Sequence, residues 1–396
     1  METLKICMIS KYPPHKGGSA GLNYWLARTL GELGHEIHVI TDPVENGQNY
    51  LEGLGRDVMA GFEPKNVKVH CPVMDRPIPV KSKISMLVNS AIDVISENDI
   101  DAIDAKYFIP YGISGFFSKL LAGKPLVIRH GGSDMTYLLK SPIYGKLLLK
   151  MLGGADKILV DPAKSEEIER MGIPRDKMEK ASDFGMSVNN VSSAGSKKIL
   201  KKIGIDDGFP ILGVFGKISR GKGLPELFKG LSLIKDEDFH LLVVPEDEKD
   251  AVSNYASEFG LAEKTTIMDY QPPWVMPFLY DSLTALVATE VDFPVKMHTP
   301  LTGFESMYFG KCTIISEETH RKPQFANFRH QIDVIVTNPK DTSQYAKTLK
   351  WVIRNPDVAK KIGQNAKTRR PLDEGKANAQ GLIEIYKKAI NNYKKG

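Results

Sequence analysis

No apolar run in this sequence approaches the ~20 residues that a membrane-spanning helix needs, so no helical span is expected. Met1 to Ser10 is too short and too broken in hydropathy for a secretory leader. Cysteine is scarce: Cys7, Cys71 and Cys312 lie far apart, with no Cys-x-x-Cys and no histidine at zinc-ligand spacing. That argues against a disulfide framework and a structural metal, and for a reducing compartment. An excess of one charge is lacking too. A formal net charge of +5 over 396 residues is far from a nucleic-acid-binding signature, although it suits anionic ligands. Short-period repeats and low-complexity stretches are absent. What remains is a cytoplasmic chain, with peripheral contact at the inner face of a membrane as the furthest departure expected.

Hydrophobic residues make up 42% and charged residues 26%, as in ordinary globular proteins, and the length suits two domains. The pattern alternates throughout. Lys5–Ser10 reads as a strand, Ser19–Leu33 as a helix and Glu36–Thr41 as a strand. Helix Ser85–Asn98, strand Ala102–Lys106, helix Gly112–Ala122, strand Leu126–Arg129, helix Pro142–Leu152 and strand Lys157–Asp161 follow. Such alternation predicts a parallel sheet covered on both faces. Val188–Lys197 is small and polar and reads as a linker. A second alternation runs from Ile211 to strand Asp333–Thr337, and helices close the chain. Two doubly wound, Rossmann-like sheets place a ligand at the C-terminal ends of their strands. The expected domains are 1–190 and 191–375, with 376–396 as a terminal helix.

The second alternation opens with ILGVFGKISRGKGLPELFKGL, Ile211 to Leu231. An apolar strand, a turn from Gly216 to Gly223 and a helix with Pro225 at its first position come in that order. Leu224, Leu227, Phe228 and Leu231 give the helix one apolar face. The three glycines let the backbone approach a ligand, while Lys217, Arg220 and Lys222 supply positive charge. Together these suit an anion such as a diphosphate. An ordinary βα turn with solvated lysines is the competing reading.

Other segments extend the pattern. Pro13-Pro14-His15-Lys16-Gly17-Gly18 precedes a helix that ends Leu33-Gly34-His35-Glu36. Arg129-His130-Gly131-Gly132-Ser133-Asp134 follows a strand, and Asp183-Phe184-Gly185-Met186-Ser187 precedes the linker. Glu305-Ser306-Met307-Tyr308-Phe309-Gly310-Lys311 lies in a later helix. In this order, and with Gly216–Gly223 aligned on Gly-Arg-Leu-x-x-x-Lys-Gly, Lys217 standing for Arg and Ile218 for Leu, the chain resembles the GT-B-fold glycosyltransferases. The resemblance is to the glycosyltransferase family 4 type (glycosyl transferases group 1).

The resemblance implies an α/β GT-B architecture, two Rossmann-like parallel-sheet domains facing each other across a cleft. It implies a retaining transfer of a sugar from a nucleotide diphosphate to a glycan, lipid or small-molecule acceptor. The C-terminal domain would bind donor and the N-terminal domain acceptor, with the last helix crossing back. Lys217 and Lys222 are then the cations that meet the departing diphosphate, and Glu305 holds the nucleotide ribose. Gly216, and a helix start with Thr299 as cap, Pro300 and the backbone N–H groups of Leu301 and Thr302, complete the donor site. His130 would meet sugar or acceptor, with Asp134 orienting it, and Gly17 and Gly18 let the first loop come close. No cofactor and no metal are expected. Asp99-Ile100-Asp101 and Asp236-Glu237-Asp238 fit a metal-binding Asp-x-Asp but precede strands, at the wrong end of the sheet.

Some positions depart from the pattern. Met297 stands where the family has a second glutamate, with Asp292 upstream as a substitute, and Glu317–His330 is basic without a familiar counterpart. A degenerate sugar-nucleotide sensor or partner subunit is therefore the alternative. A nicotinamide-dependent oxidoreductase is a further one, weakened because Lys16 occupies the first glycine of a Gly-x-Gly-x-x-Gly. Lys140–Leu152 mixes lysines with leucines, which a bilayer surface or a helix packed on the sheet would each explain; packing is the reading adopted.

Overall fold

The computed structural model describes residues 2–45, 58, 61–74, 79–130, 134–180, 186, 188, 191–206, 208–218, 220–294, 300–369 and 374–394. The chain forms two compact units. Unit 1 comprises Met1–Asn49, Glu63–Ser187 and Asp373–Gly396, and unit 2 comprises Tyr50–Phe62 and Val188–Leu372.

Unit 1 runs β1 (Lys5–Ile9), α1 (Gly18–Glu32), β2 (Glu36–Ile40), β3 (Val44–Glu45), β4 (Val67–His70), β5 (Val73–Met74) and α2 (Val80–Asn98). It continues with β6 (Ala102–Lys106), α3 (Ile113–Ala122), β7 (Leu126–Arg129), α4 (Gly145–Gly154), β8 (Lys157–Val160), α5 (Ser165–Arg170) and β9 (Met178–Lys180). Among the described residues seven of these strands form one parallel sheet in the order β4-β2-β1-β6-β7-β8-β9, and β3 pairs with β5. Central strands of a sheet covered on both faces must be apolar throughout, not alternating. Ile6–Ile9, Leu126–Ile128 and Ile158–Val160 are accordingly buried.

One patch of this sheet breaks that rule. Asp104 of β6 is fully buried and receives both the Nε and Nη2 hydrogens of Arg129 on β7, at 2.8 and 2.6 Å. Arg129 also donates to the Asn23 side chain on α1 at 3.3 Å. A cavity of about 240 Å³ adjoins this network, lined among others by Leu26, Lys106, Arg129, Leu159, Glu179 and Lys388, and contains none of the candidate site residues. α4 buries Gly145, Leu148, Met151 and Leu152 against the sheet, while Ile143 before it and Leu147 within it stay exposed.

Unit 2 carries α6 (Ser193–Lys202), β10 (Ile211–Gly216), α7 (Leu224–Ser232), β11 (His240–Pro245), α8 (Lys249–Glu258), β12 (Thr265–Ile267), α9 (Met276–Ser282) and β13 (Ala285–Ala288). α10 (Leu301–Tyr308), β14 (Cys312–Ser316), α11 (Glu317–His320), β15 (Ile335–Thr337), α12 (Thr342–Arg354) and α13 (Pro356–Arg369) complete it. Its parallel sheet has the order β12-β11-β10-β13-β14-β15, so the strand order reverses between β10 and β13. α6 begins inside the segment read as a linker: the Ser192 side chain caps it by accepting the Gly195 N–H at 3.3 Å. The last helix, α14 (Glu374–Tyr393), belongs to unit 1, where it packs with α1 and buries Ala379, Leu382, Tyr386 and Ala389. Among the described residues no helix is long and apolar enough to cross a membrane. The three cysteines are thiols, two of them buried.

Candidate active site

In unit 2 the donor-site candidates gather where β10 ends and α10 begins. β10 is buried through Phe215 and ends at Gly216, whose φ of 93° suits only a residue without Cβ. A Cβ at Gly216 would lie 3.6 Å from the Thr302 methyl, so the strand end and the start of α10 are neighbours. Ile218 is buried and anchors the turn, which leaves Lys217 exposed.

The glycines later in the turn serve the chain itself. A Cβ at Gly223 would sit 2.3 Å from the Thr289 carbonyl oxygen, at a φ of 71°. At Gly221 it would meet the Phe293 ring at 3.1 Å, and the Gly221 carbonyl accepts the Val291 N–H at 2.9 Å. The turn is thus stitched to the segment that follows β13, and the room expected for a ligand at 221 and 223 is taken by Phe293 and Thr289. Replacing Gly223 with alanine is expected to destabilise unit 2 by about 1–3 kcal/mol, from backbone strain and the clash together. A urea melt of the variant checks this; an unchanged midpoint contradicts it.

Lys222 is half-buried at the end of the turn. Its ammonium donates to Glu290 at 2.6 Å and lies 4.4 Å from the centroid of the Phe293 ring. Burial pushes its pKa down; Glu290 opposes that, while Lys322 and Lys217 add to it. The downward pull of Lys217 and Lys322 places three cations in one electrostatic neighbourhood. Glu290 itself is 1% exposed and is also paired with Lys322. The Arg220 side chain lies outside the described part.

Helix α10 starts at Leu301 with Pro300 in the cap position, so the helix opens one residue later than the sequence suggests. Leu301 and Thr302 are half-buried, and Thr299 and Met297 lie outside the described residues. Glu305 sits one turn in, half-buried, and accepts a 2.5 Å hydrogen bond from the Tyr280 hydroxyl of α9. Burial raises its carboxyl pKa, and the Tyr280 hydrogen bond works against that. Tyr280 is fully buried between Phe309, which it stacks on, and Phe215, which it meets edge-on. Asp292 is exposed and paired with Lys340 at 2.7 Å.

The remaining candidates lie in unit 1. Gly17 caps α1, its carbonyl accepting the N–H groups of Ala20 and Gly21 at 3.0 and 3.2 Å, and Gly18 opens the helix on the surface. His15, in the same loop, bonds through its ring to the Asp42 carbonyl at 2.7 Å. His130 follows β7 and is buried. Asp134 is 1% exposed, and its carboxylate accepts the N–H groups of Phe108 and Met135 at 3.2 and 2.9 Å. Those bonds make it a support for the main chain around Phe108. Gly131, Gly132, Ser133, Asp183–Gly185 and Ser187 lie outside the described residues.

Neither acidic pair lies at the C-terminal ends of the strands. Asp99 ends α2 at a φ of 50°, and Asp101 accepts the Lys5 N–H at 2.7 Å, ahead of β1 and β6. Asp236 and Asp238 are exposed ahead of β11. Sequence reasoning missed Glu290, Tyr280 and Lys322. For Glu290 the signal was its place just after a predicted strand; for the others none existed, since their partners are remote in sequence.

Comparison with known proteins adds the following. Residues 195–369 match the family model described as Glycosyl transferases group 1. Among curated proteins none matches at a significant level. A glycosyltransferase from Rickettsia africae superposes with a TM-score of 0.63 at 16% identity, covering 99% of this chain and 100% of its own. The Anabaena protein HepE, solved with UDP and glucose, gives 0.66 at 16% identity, covering 96% and 99%. Sucrose-phosphate synthase from Thermosynechococcus elongatus also gives 0.66 at 16%, covering 98% and 100%. Two parallel-sheet α/β units and these neighbours make the fold GT-B, and the segment that holds Lys222, Glu290 and Glu305 is similar to the group 1 glycosyl transferases.

Proposed function

We propose that this chain is a glycosyltransferase that moves a sugar from a nucleotide-diphosphate donor to a glycan, lipid-linked or small-molecule acceptor. In this reading it needs no metal and retains configuration at the anomeric carbon. One observation carries the proposal: a half-buried ammonium, Lys222, is fixed on Glu290 in the turn that follows a parallel strand where the strand order reverses, and that strand ends at Gly216, beside the first turn of α10. When the bond from the anomeric carbon to the diphosphate breaks, negative charge grows on the leaving oxygens. A cation already in place stabilises that charge without reorganising. Lys217 adds a solvent-facing charge, and the N–H groups of Leu301 and Thr302, which have no acceptor within their own helix, add the positive end of a helix. Glu305 would accept the ribose hydroxyls. Unit 2 would thus hold donor, and unit 1, through Gly17, Gly18 and His130, sugar or acceptor, while Asp134 supports the main chain around Phe108. The bound UDP and glucose of HepE are in keeping with this donor class.

Thermal melts against a panel of nucleotide sugars test the reading. A true donor at 100 times its dissociation constant stabilises unit 2 by about 2.7 kcal/mol. The same donor should then be slowly hydrolysed in EDTA. No shift with any nucleotide or nucleotide sugar would falsify the assignment. A shift without hydrolysis or transfer points instead to a sugar-nucleotide sensor or partner subunit.

Glu305 gives the reading a pH signature. Its carboxyl is raised by burial, so the acid limb of kcat/KM should lie above the ordinary glutamate range. Tyr280→Phe removes the bond that opposes the rise, and should move the limb further up while sparing activity at high pH. The stability effect has the opposite slope: the folded state keeps this proton longer than the unfolded one. Stability is therefore lost as pH climbs from the ordinary value to the raised one. A limb that stays put in Tyr280→Phe removes Glu305 from the ionised role.

Peripheral membrane contact belongs to the same proposal. Exposed Ile143 and Leu147 beside Lys146 and Lys150 form the surface we assign to it. Flotation with anionic liposomes at low but not high salt is expected, and no flotation at either removes it.

A further inference from the structure

Apart from the pairing of Lys322 with Glu290, the basic stretch Glu317–His330 has no role in the site as described so far, yet it is built into that site. Ser316 caps α11 by accepting the Thr319 N–H at 3.1 Å. Phe325 is fully buried and stacks on Phe304 of α10, with centroids 4.4 Å apart and planes 1° from parallel. The helix that carries Glu305 therefore also holds this stretch. Glu318 accepts the N–H groups of Asp292 and Phe293 at 2.8 and 3.0 Å, and so fixes the backbone of Phe293. Lys322, 7% exposed, pairs with the second oxygen of the Glu290 carboxylate, and its ammonium is 5.6 Å from the Phe293 ring. Lys222 holds the first oxygen and lies over the same ring.

We infer that Lys322 is a positioning residue for diphosphate binding, acting on Lys222 through the carboxylate they share. The inference rests on the reading of the Gly216–Gly223 turn as the diphosphate seat. A buried carboxylate with Lys222 alone is a closed, neutral pair, which has little pull on an anion and holds the ammonium back. A second ammonium on the other oxygen divides the attraction of Glu290 between two cations. Among these three side chains positive charge then exceeds negative by one, in a setting where charge is poorly screened. Phe293 offers both ammoniums a ring face, so Lys222 can turn toward an anion without leaving its support. A basic segment remote in sequence thus tunes the lysine of the glycine-rich turn.

The test is calorimetric titration of the full chain with inorganic pyrophosphate, which carries no base preference, and with UDP. Lys322→Met is expected to weaken pyrophosphate binding about tenfold or more, the equivalent of ~1.4 kcal/mol. It should also flatten the salt dependence. Adding Glu290→Gln to Lys322→Met removes the carboxylate, restores the positive excess, and is expected to return affinity to within about threefold of wild type. A purely structural role for Lys322 predicts the reverse, since the second change only adds damage. Wild-type affinity in a folded Lys322→Met, or no recovery in the double variant, overturns the inference while leaving the diphosphate seat intact. If the wild type binds neither pyrophosphate nor any nucleoside diphosphate, the seat itself is wrong and the inference goes with it. Should Lys322→Met not fold, Lys322→Arg and the double variant carry the test: both keep the positive excess, and a tenfold loss in either overturns the inference.

Discussion

Lys222→Ala is expected to lower kcat by roughly 10²–10³-fold, the loss seen when one preorganised group facing developing charge is removed. Stability should change little. Removing one partner of a buried ion pair is ordinarily costly because the other charge is stranded. Here Glu290 keeps Lys322 on its second oxygen, so no stranded carboxylate results. The melting temperature is therefore expected to fall by only a few degrees, as about 1 kcal/mol implies for a unit of this size. Steady-state kinetics with the donor found in the thermal panel, alongside a melt of the same preparation, measure both. Wild-type turnover in a folded Lys222→Ala removes the lysine from the chemistry. A collapsed melt with proportionate loss of activity makes its role one of support.

Asp104→Asn should have the larger effect on stability. Asp104 is buried in β6 and takes three hydrogen bonds from Arg129, itself 6% exposed. Asparagine keeps the shape and removes the charge, leaving a buried guanidinium without the carboxylate that holds it. Such a change costs about 3–5 kcal/mol, a large part of the stability of an ordinary domain. Urea unfolding of the full chain is expected to show unit 1 melting early while unit 2 keeps its wild-type midpoint, so that two transitions separate. The paired change Asp104→Leu with Arg129→Met, which removes both charges, should recover much of the loss. If Asp104→Asn leaves the melt unchanged, the pair is not the structural element its geometry describes.

Much of the fold was readable because parallel strands covered on both faces have to be apolar. Ala102–Lys106 and Leu126–Arg129 are strands with the very bounds that hydropathy gives. The same logic fails where burial is partial. β9, Met178–Lys180, is half-buried and polar, and nothing in its residues marks it as a strand. The first half of α6 falls in Val188–Lys197, whose small polar residues read as a linker; the helix offers only Ser196, Ile199 and Leu200 to the interior. In the candidate site, local signals found Lys222 and Glu305, which sit in a turn and a helix with their own patterns. They could not find Glu290 or Lys322, whose meaning depends on strands β13 and β14 lying side by side. The glycines show the limit of a motif. Gly221 and Gly223 are required, but by Phe293 and Thr289, not by open space.

Helix α14 gives unit 1 a boundary condition in time. The Asp104–Arg129 network, Asn23 and the cavity beside them lie where residues 374–393 come to rest. A nascent chain leaving the ribosome therefore presents a half-built unit 1, charged groups uncovered, until the whole of unit 2 has been synthesised. Vectorial folding would finish the second unit first and the first unit last, and any fusion or truncation that crowds residues 374–393 would be felt in the unit that contains the amino terminus.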